Sequence, residues 1–289
     1  MQPHARTPVR RPETARPRRD RPAEVPAPPT QAELEAIERG LVGLAALAGA
    51  SVAEMPELGV RLASCPGRGP AFDFAACVRW TEHDWQARAM ALAAHARARG
   101  EHPALLLAEG LTRPPDLATR LVEADWTPSG GETVMLARRA GVVPHLDPSL
   151  RIEAVTERSA AEHEAVERSI FGLAGADAGD RLAALRAGIA AGRLRAYLVR
   201  LAGQPVAVAR LAVGLEGLAA LHGVGVVASR RRQGYGSLVT TVATRAGLAQ
   251  GHPLVWLSVD AANAAATALY EGLDYRPAFR WRRLLGPAA

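Results

Sequence analysis

At 218–237 the chain reads LAALHGVGVVASRRRQGYGS. An apolar, strand-like run ends in three consecutive arginines, and two glycines then open a helical run extending to about Gln250. A strand that feeds a glycine-bearing turn at a helix N-terminus gathers several unpaired backbone N–H groups, with the positive end of the helix dipole behind them. Gly234 and Gly236 carry no Cβ to hold a ligand away from that backbone. Arg230, Arg231 and Arg232 add charge suited to a diphosphate. An ordinary glycine turn with solvated arginines would read the same way, so the choice rests on the rest of the chain.

Several phosphate ligands are excluded. A P-loop needs Gly-Lys-Ser/Thr, and every cationic side chain here other than histidine is arginine. A dinucleotide fingerprint forced onto Gly223, Gly225 and Ala228 puts its glycines inside a strand instead of at a helix start. No G-x-S-x-G or H-E-x-x-H occurs, so hydrolase chemistry has no anchor. The net charge of +6 suggests nucleic acid only until it is located. Residues 1–30 hold seven arginines against three acids, leaving 28 against 26 over the other 259 residues. A basic binding face should lie on the fold, not in a Pro/Arg-rich tail, which is expected to be disordered. Cys65 and Cys77 make neither a disulfide framework nor a zinc site, and no metal is expected. No apolar run approaches the ~20 residues of a membrane span. A cytoplasmic protein is expected.

Apolar residues make up 48% of 289, enough for two compact domains. Helices are predicted at 30–48, 85–99 and 116–124, with strands at 104–108 and 133–137. After a break near 141–148 the pattern restarts. Strands are predicted at 151–155, 194–201, 205–213, 218–227, 254–259 and 279–285. Helices fall at 159–171, 180–190, 234–250 and 263–272. Ser159 with Glu162 reads as a capping box, and glycine-containing turns favour antiparallel hairpins. The fold class is α/β (α+β), a mixed, mostly antiparallel sheet flanked by helices. The divisions are a tail at 1–30, a first domain at 31–145 and a second at 146–289.

The run from 221 through the arginine–glycine loop, together with VDAANAAATALYEGLDYRP at 259–277, resembles the GNAT family of N-acetyltransferases. Val226, Arg231, Gly234, Gly236, Asn263, Ala266 and Tyr270 match its two motifs in order and spacing. Ala228 stands where the family usually has proline, and Asp274-Tyr275 where it has Gly-Phe. The resemblance implies acetyl-CoA as cosubstrate. Val224, Gly225 and Val226 would lend backbone groups to the pantetheine arm. Arg231, Arg232, Gln233, Gly234, Tyr235 and Gly236, with Ser237 in the opening helical turn, would cradle the pyrophosphate, and Asn263 would lie nearby. An amine would attack the thioester directly, with an oxyanion donor near Val226 and Tyr270 protonating the departing thiolate. His222 occupies the position of a histidine used in proton removal by the arylalkylamine branch, although Ala220 replaces a second histidine of that branch. By strand alternation His222, Val224 and Val226 should share one face, and a near-neutral imidazole would suit a base.

Glu162, His163, Glu164 and Glu167 lie on one helix and read as a solvated face. Residues 103–138 resemble the end of the same fold, with Ala-Asp-Trp at 124–126 where the family has aliphatic-Gly-aromatic. No cradle occurs between Trp80 and Trp85, which implies a degenerate tandem repeat. On this reading the second half would bind acetyl-CoA by itself. The expected acceptor is a primary amine on a small molecule or peptide. The alternative is an acyl-CoA-binding sensor that has lost turnover.

Overall fold

The computed structural model describes residues 27–142, 148–173 and 177–287; the tail up to residue 26 and the 143–147 part of the expected boundary lie outside these. The first half runs α1 (Gln31–Leu47), β1 (Ser51–Met55), β2 (Val60–Ser64), β3 (Phe74–Ala76), α2 (Trp85–Ala98), β4 (Ala104–Ala108), α3 (Leu117–Glu123) and β5 (Thr127–Ala137). The second runs β6 (Leu150–Ala154), α4 (Ala160–Phe171), α5 (Ala178–Ala190), β7 (Leu194–Leu201), β8 (Gln204–Leu215) and β9 (Leu218–Val226). It continues with α6 (Tyr235–Ala249), β10 (Val255–Asp260), α7 (Ala264–Glu271) and β11 (Arg276–Leu285).

The described strands form one sheet in the order β1-β2-β3-β4-β11-β5-β10-β9-β8-β7-β6. Its pairs are antiparallel except β3–β4 and β9–β10. The order is nearly symmetric about the β11–β5 pair, so β3, α2, β4, α3 and β5 repeat β9, α6, β10, α7 and β11. Each half has placed its last strand inside the other: β11 lies between β4 and β5, and β5 between β11 and β10. This exchange argues against a second half that binds by itself, because β11 takes both its neighbours from the first half.

The helices seal the exchange. Ile37 and Val42 of α1, Ala160 of α4 and Leu185 of α5 bury one face of the sheet against residues of both halves, including Leu106, Leu136, Val208 and Trp256. On the opposite face Leu238, Val239 and Ala243 of α6 pack with Leu211, Leu221, Leu257 and the first half's Met135. A third cluster gathers Trp80, Leu92, Leu105 and Leu121 of the first half around Leu284 of the inserted β11. Ion pairs at the rim tie α1 down, Arg138 just after β5 to Glu33 and Arg39 to Glu216 of the β8–β9 turn, which also takes Arg61 of β2.

Most predicted elements form, with β5 extended back to Thr127. β1, β2 and β3 escaped the sequence reading: they are short, alanine-containing and separated by proline- and glycine-bearing turns. The predicted capping box at Ser159 does not form; its hydroxyl instead accepts from Thr156 N at 3.0 Å. A full capping box does occur at Thr30 and Glu33, opening α1. The two departures at the family's Gly-aromatic position are alike in conformation. Asp125 and Asp274 have φ of 65° and 68°, the left-handed region that aspartate tolerates better than most residues. The aromatic after each is buried, and the Tyr275 hydroxyl lies 2.7 Å from Thr244 Oγ1.

Candidate active site

The site grows from an irregularity in β9. Leu221 and His222 pair with Leu211 and Arg210, whereas Gly225 and Val226 pair with Val208 and Ala207. Two residues, Gly223 and Val224, therefore oppose the single Ala209, and Gly223 takes φ 61°. This is a β-bulge with glycine in the left-handed position. It reverses the expected alternation: Val224 and Val226 pack toward the α6 face, while His222 and its partner Arg210 line a cavity on the other face. The expectation that His222, Val224 and Val226 share one face is thus corrected, because strand periodicity does not survive an extra residue.

Beyond the bulge β9 also parts from its parallel neighbour. The pairing with β10 is confined to Ala219 and Ala220, so the backbone of 222–226 faces an opening wedge. A cleft of about 810 Å³ occupies this end of the sheet. Val224, Gly225, Val226, Arg231, Arg232, Gly234, Gly236, Ser237, Asn263 and Tyr270 all line it, with Ile170 and Phe171 of α4 closing one side. Two predicted contacts do not: Tyr235 is buried in the core under α6, and Gln233 is exposed outside the lining. Asn263 has a structural task besides, since its Oδ1 caps α7 by accepting from Ala266 N at 3.1 Å.

The glycines of the cleft are there for room. A Cβ on Gly225 would lie 2.7 Å from Ile170, and one on Gly223 2.6 Å from Glu167 Oε1. Gly234 starts α6 at φ 85° with open space beside it, and Gly236 is buried in the first turn. Exposed Arg231 and Arg232 flank this N-terminus. A diphosphate-bearing ligand with a long thin arm fits that arrangement. Tyr270 is buried, its ring centroid 5.8 Å from that of Tyr275, and burial pushes its hydroxyl up to about 12.

The second cavity, of about 430 Å³, lies between the halves under α1. His222 opens into it with Glu167 and Arg210, joined by Glu132 of β5 and Arg283 of β11. The α4 charges are therefore not the solvated face expected. His163, Glu164 and Glu167 are buried, and only Glu162 is exposed, paired with Arg200. Arg210 pairs with Glu167, and Arg181 with Glu164 at 2.9 Å. The partners come from β8 and α5, distant in sequence, which is why helix periodicity missed them. Burial raises the carboxyls of Glu167 and Glu132 above the usual range. Burial, with the nearby Arg210 cation, pushes both His222 and His163 down to about 3. The near-neutral imidazole expected for His222 is corrected accordingly.

A prediction about stability follows from these two histidines. Their folded pKa values lie below the unfolded value near ~6.5, so the unfolded state binds more protons as pH falls. Their contribution is complete above about pH 6.5 and is lost toward pH 3, by up to ~1.4 kcal/mol per pH unit for each. Denaturant midpoints at stepped pH should fall through this window. His163→Asn, which cannot titrate, should flatten the dependence; an unchanged slope would refute the assignment.

The sheet thus carries one splayed parallel pair, a bulged strand and a glycine-bearing start to the next helix. Residues 163–275 match the model of the acetyltransferase (GNAT) family, and this part of the chain is a domain of that family. The chain is similar over 88% of its length to a GCN5-related N-acetyltransferase from Kribbella flavida, covering 96% of that protein at 21% identity with a TM-score of 0.65. A tandem GNAT protein from the clavulanic acid biosynthesis pathway superposes at a TM-score of 0.55 and 16% identity, over 80% of this chain and 79% of that one. A GCN5-related N-acetyltransferase from Sphaerobacter thermophilus gives 0.53 at 17% identity, over 91% and 96%. At these identities the likeness is one of fold. No curated protein matches the chain in sequence. Among the described residues no cluster of histidine, cysteine, aspartate or glutamate is placed to hold a metal ion, and no helix is long and apolar enough to cross a membrane.

Proposed function

We propose that this protein transfers the acetyl group of acetyl-CoA to a primary amine by direct attack, within a complex of both substrates. The observation that carries the reading is the bulge at Gly223, which puts cradle and tyrosine on one side of β9 and a buried polar cavity on the other. Val224, Gly225 and Val226 offer backbone groups to the pantetheine arm at the unpaired edge of β9. The N-terminus of α6 with Arg231 and Arg232 takes the pyrophosphate. The amine nitrogen forms a bond to the thioester carbonyl carbon, the C–S bond breaks, and one amine proton must leave. Tyr270, protonated throughout the neutral range, supplies a proton to the thiolate. The Nε2 of His222 is buried without a partner among the described residues and serves to accept a hydrogen bond from the amine. An imidazole of such low basicity orients the amine, and Glu167, whose raised carboxyl abuts Gly223, takes up the proton. The reading makes the protein a cytoplasmic enzyme without a metal.

Two substitutions test these roles. Tyr270→Phe should lower kcat by about 10²–10⁴-fold, the usual worth of a positioned acid, with CoA affinity unchanged by calorimetry. His222→Ala should lower turnover by a factor that stays constant between roughly pH 6 and 9, because the imidazole is neutral throughout. A defect that deepens as pH falls through 7 would restore the near-neutral base. A wild-type protein that binds CoA yet releases no thiol with any amine would be the sensor instead.

A further inference from the structure

The cavity under α1 holds more charge than the reaction uses. Of the charged side chains lining it, Arg68 pairs with Asp177 at 2.9 Å, Arg210 with Glu167, and Arg181 with Glu164 outside the lining. Arg283 and Glu132 remain. The Arg283 guanidinium stacks over Trp281 at 5.4 Å instead of pairing, and its Nε is buried with no hydrogen-bond partner among the described residues. Arg210 Nε and His222 Nε2 are buried and unpartnered too, and all three nitrogens belong to residues that line this cavity. Buried polar atoms left unsatisfied are costly, and each one in a native protein calls for an explanation such as a catalytic or binding role. Leu41, Leu44, Leu47, Phe72 and Phe74 make the facing wall apolar.

We propose that this cavity is the acceptor site, and that it takes a small apolar amine bearing one carboxylate, which Arg283 holds while His222 receives the amine. The inference rests on the acetyltransferase reading and adds the substrate class. A guanidinium fork recognises a carboxylate through charge-assisted hydrogen bonds. Glu132 in the same cavity leaves the two together close to neutral, which suits a single carboxylate and penalises a doubly charged phosphate. Both residues sit on the exchanged strands, Arg283 on β11 and Glu132 on β5. Neither half alone builds the site.

The test uses matched amines with and without the carboxylate: leucine against isopentylamine, and phenylalanine against phenethylamine. Thiol release from acetyl-CoA by the full-length protein should favour the amino acid about 10–100-fold in kcat/KM, the worth of one charge-assisted hydrogen bond. Arg283→Gln should remove that preference by slowing the amino acid alone, and Arg283→Lys should keep part of it. A far-UV spectrum and a melting midpoint of Arg283→Gln that match wild type show that the variant is folded. Calorimetry of the same pairs on free and on CoA-saturated protein should show the preference without turnover. Equal use of both members, a preference for the bare amine, a ratio unmoved by Arg283→Gln, or binding of neither member would overturn the proposal. Absence of CoA binding would instead sink the acetyltransferase reading, with acceptor binding to the free protein still deciding this one.

Discussion

A chain beginning near residue 144 should fail to give a folded monomer. Without the first half β11 loses β4 and β5, its neighbours on both sides, and β10 loses β5. The truncated protein would expose an unpaired β10 edge and leave a ten-residue strand with nothing to pair to. Such edges template aggregation. It would also lose α1, which buries Trp256 and the strands around it. The first half by itself fares no better, since β5 would lose β10 and β11 together. Expressed separately, both pieces should be insoluble or lack a cooperative melting transition. Produced together as 1–142 and 143–289, they should assemble one-to-one and regain CoA binding. A soluble, cooperatively melting 144–289 fragment would mean that the exchange of strands contributes little to stability.

That exchange marks the limit of what the residues alone reveal. Periodicity locates β5 and β11, because both are long enough to alternate, yet says nothing about which neighbour each chooses. The choice depends on the halves meeting in space, where each final strand fills the gap left by the other. The bulge at Gly223 was hidden for a related reason. GVGV in a strand looks like plain alternation, and only the pairing of two residues against Ala209 shows that His222 and Val224 face opposite ways. The α4 carboxylates were misjudged because their arginines arrive from α5 and β8. Glu132 and Arg283 went unnoticed because nothing in their local sequence signals chemistry; their interest comes from meeting in one cavity on exchanged strands. The lining of the cleft, by contrast, was legible: of the residues expected around a cofactor, all but Gln233 and Tyr235 line it. Most of those residues are neighbours in sequence at a strand end or a helix start, where local structure sets the geometry.

Because the cradle is local, it allows a clean separation of charge from shape. Gly234→Asp should abolish CoA binding without disturbing the fold. Gly234 has φ 85°, and a Cβ added there meets nothing within 4 Å. The left-handed conformation is one that this chain already assigns to aspartate, at Asp125 and Asp274. A carboxylate at a helix N-cap is moreover favourable to the helix, through the dipole and the free N–H groups. Those same N–H groups are the ones a pyrophosphate would need, and a fixed negative charge among them repels it. Juxtaposing like charges costs several kcal/mol, so affinity should fall by about 100-fold or more. Gly234→Asn has nearly the same shape and the same tolerance of positive φ but no charge. It should keep most of the affinity. Calorimetry with CoA on all three proteins, at low and high salt, reads the difference, and the Asp variant's deficit should shrink as salt screens the repulsion. Equal losses in the Asp and Asn variants would point to steric blockage at Gly234. Undiminished affinity in Gly234→Asp, with its melting midpoint intact, would move the pyrophosphate away from the start of α6.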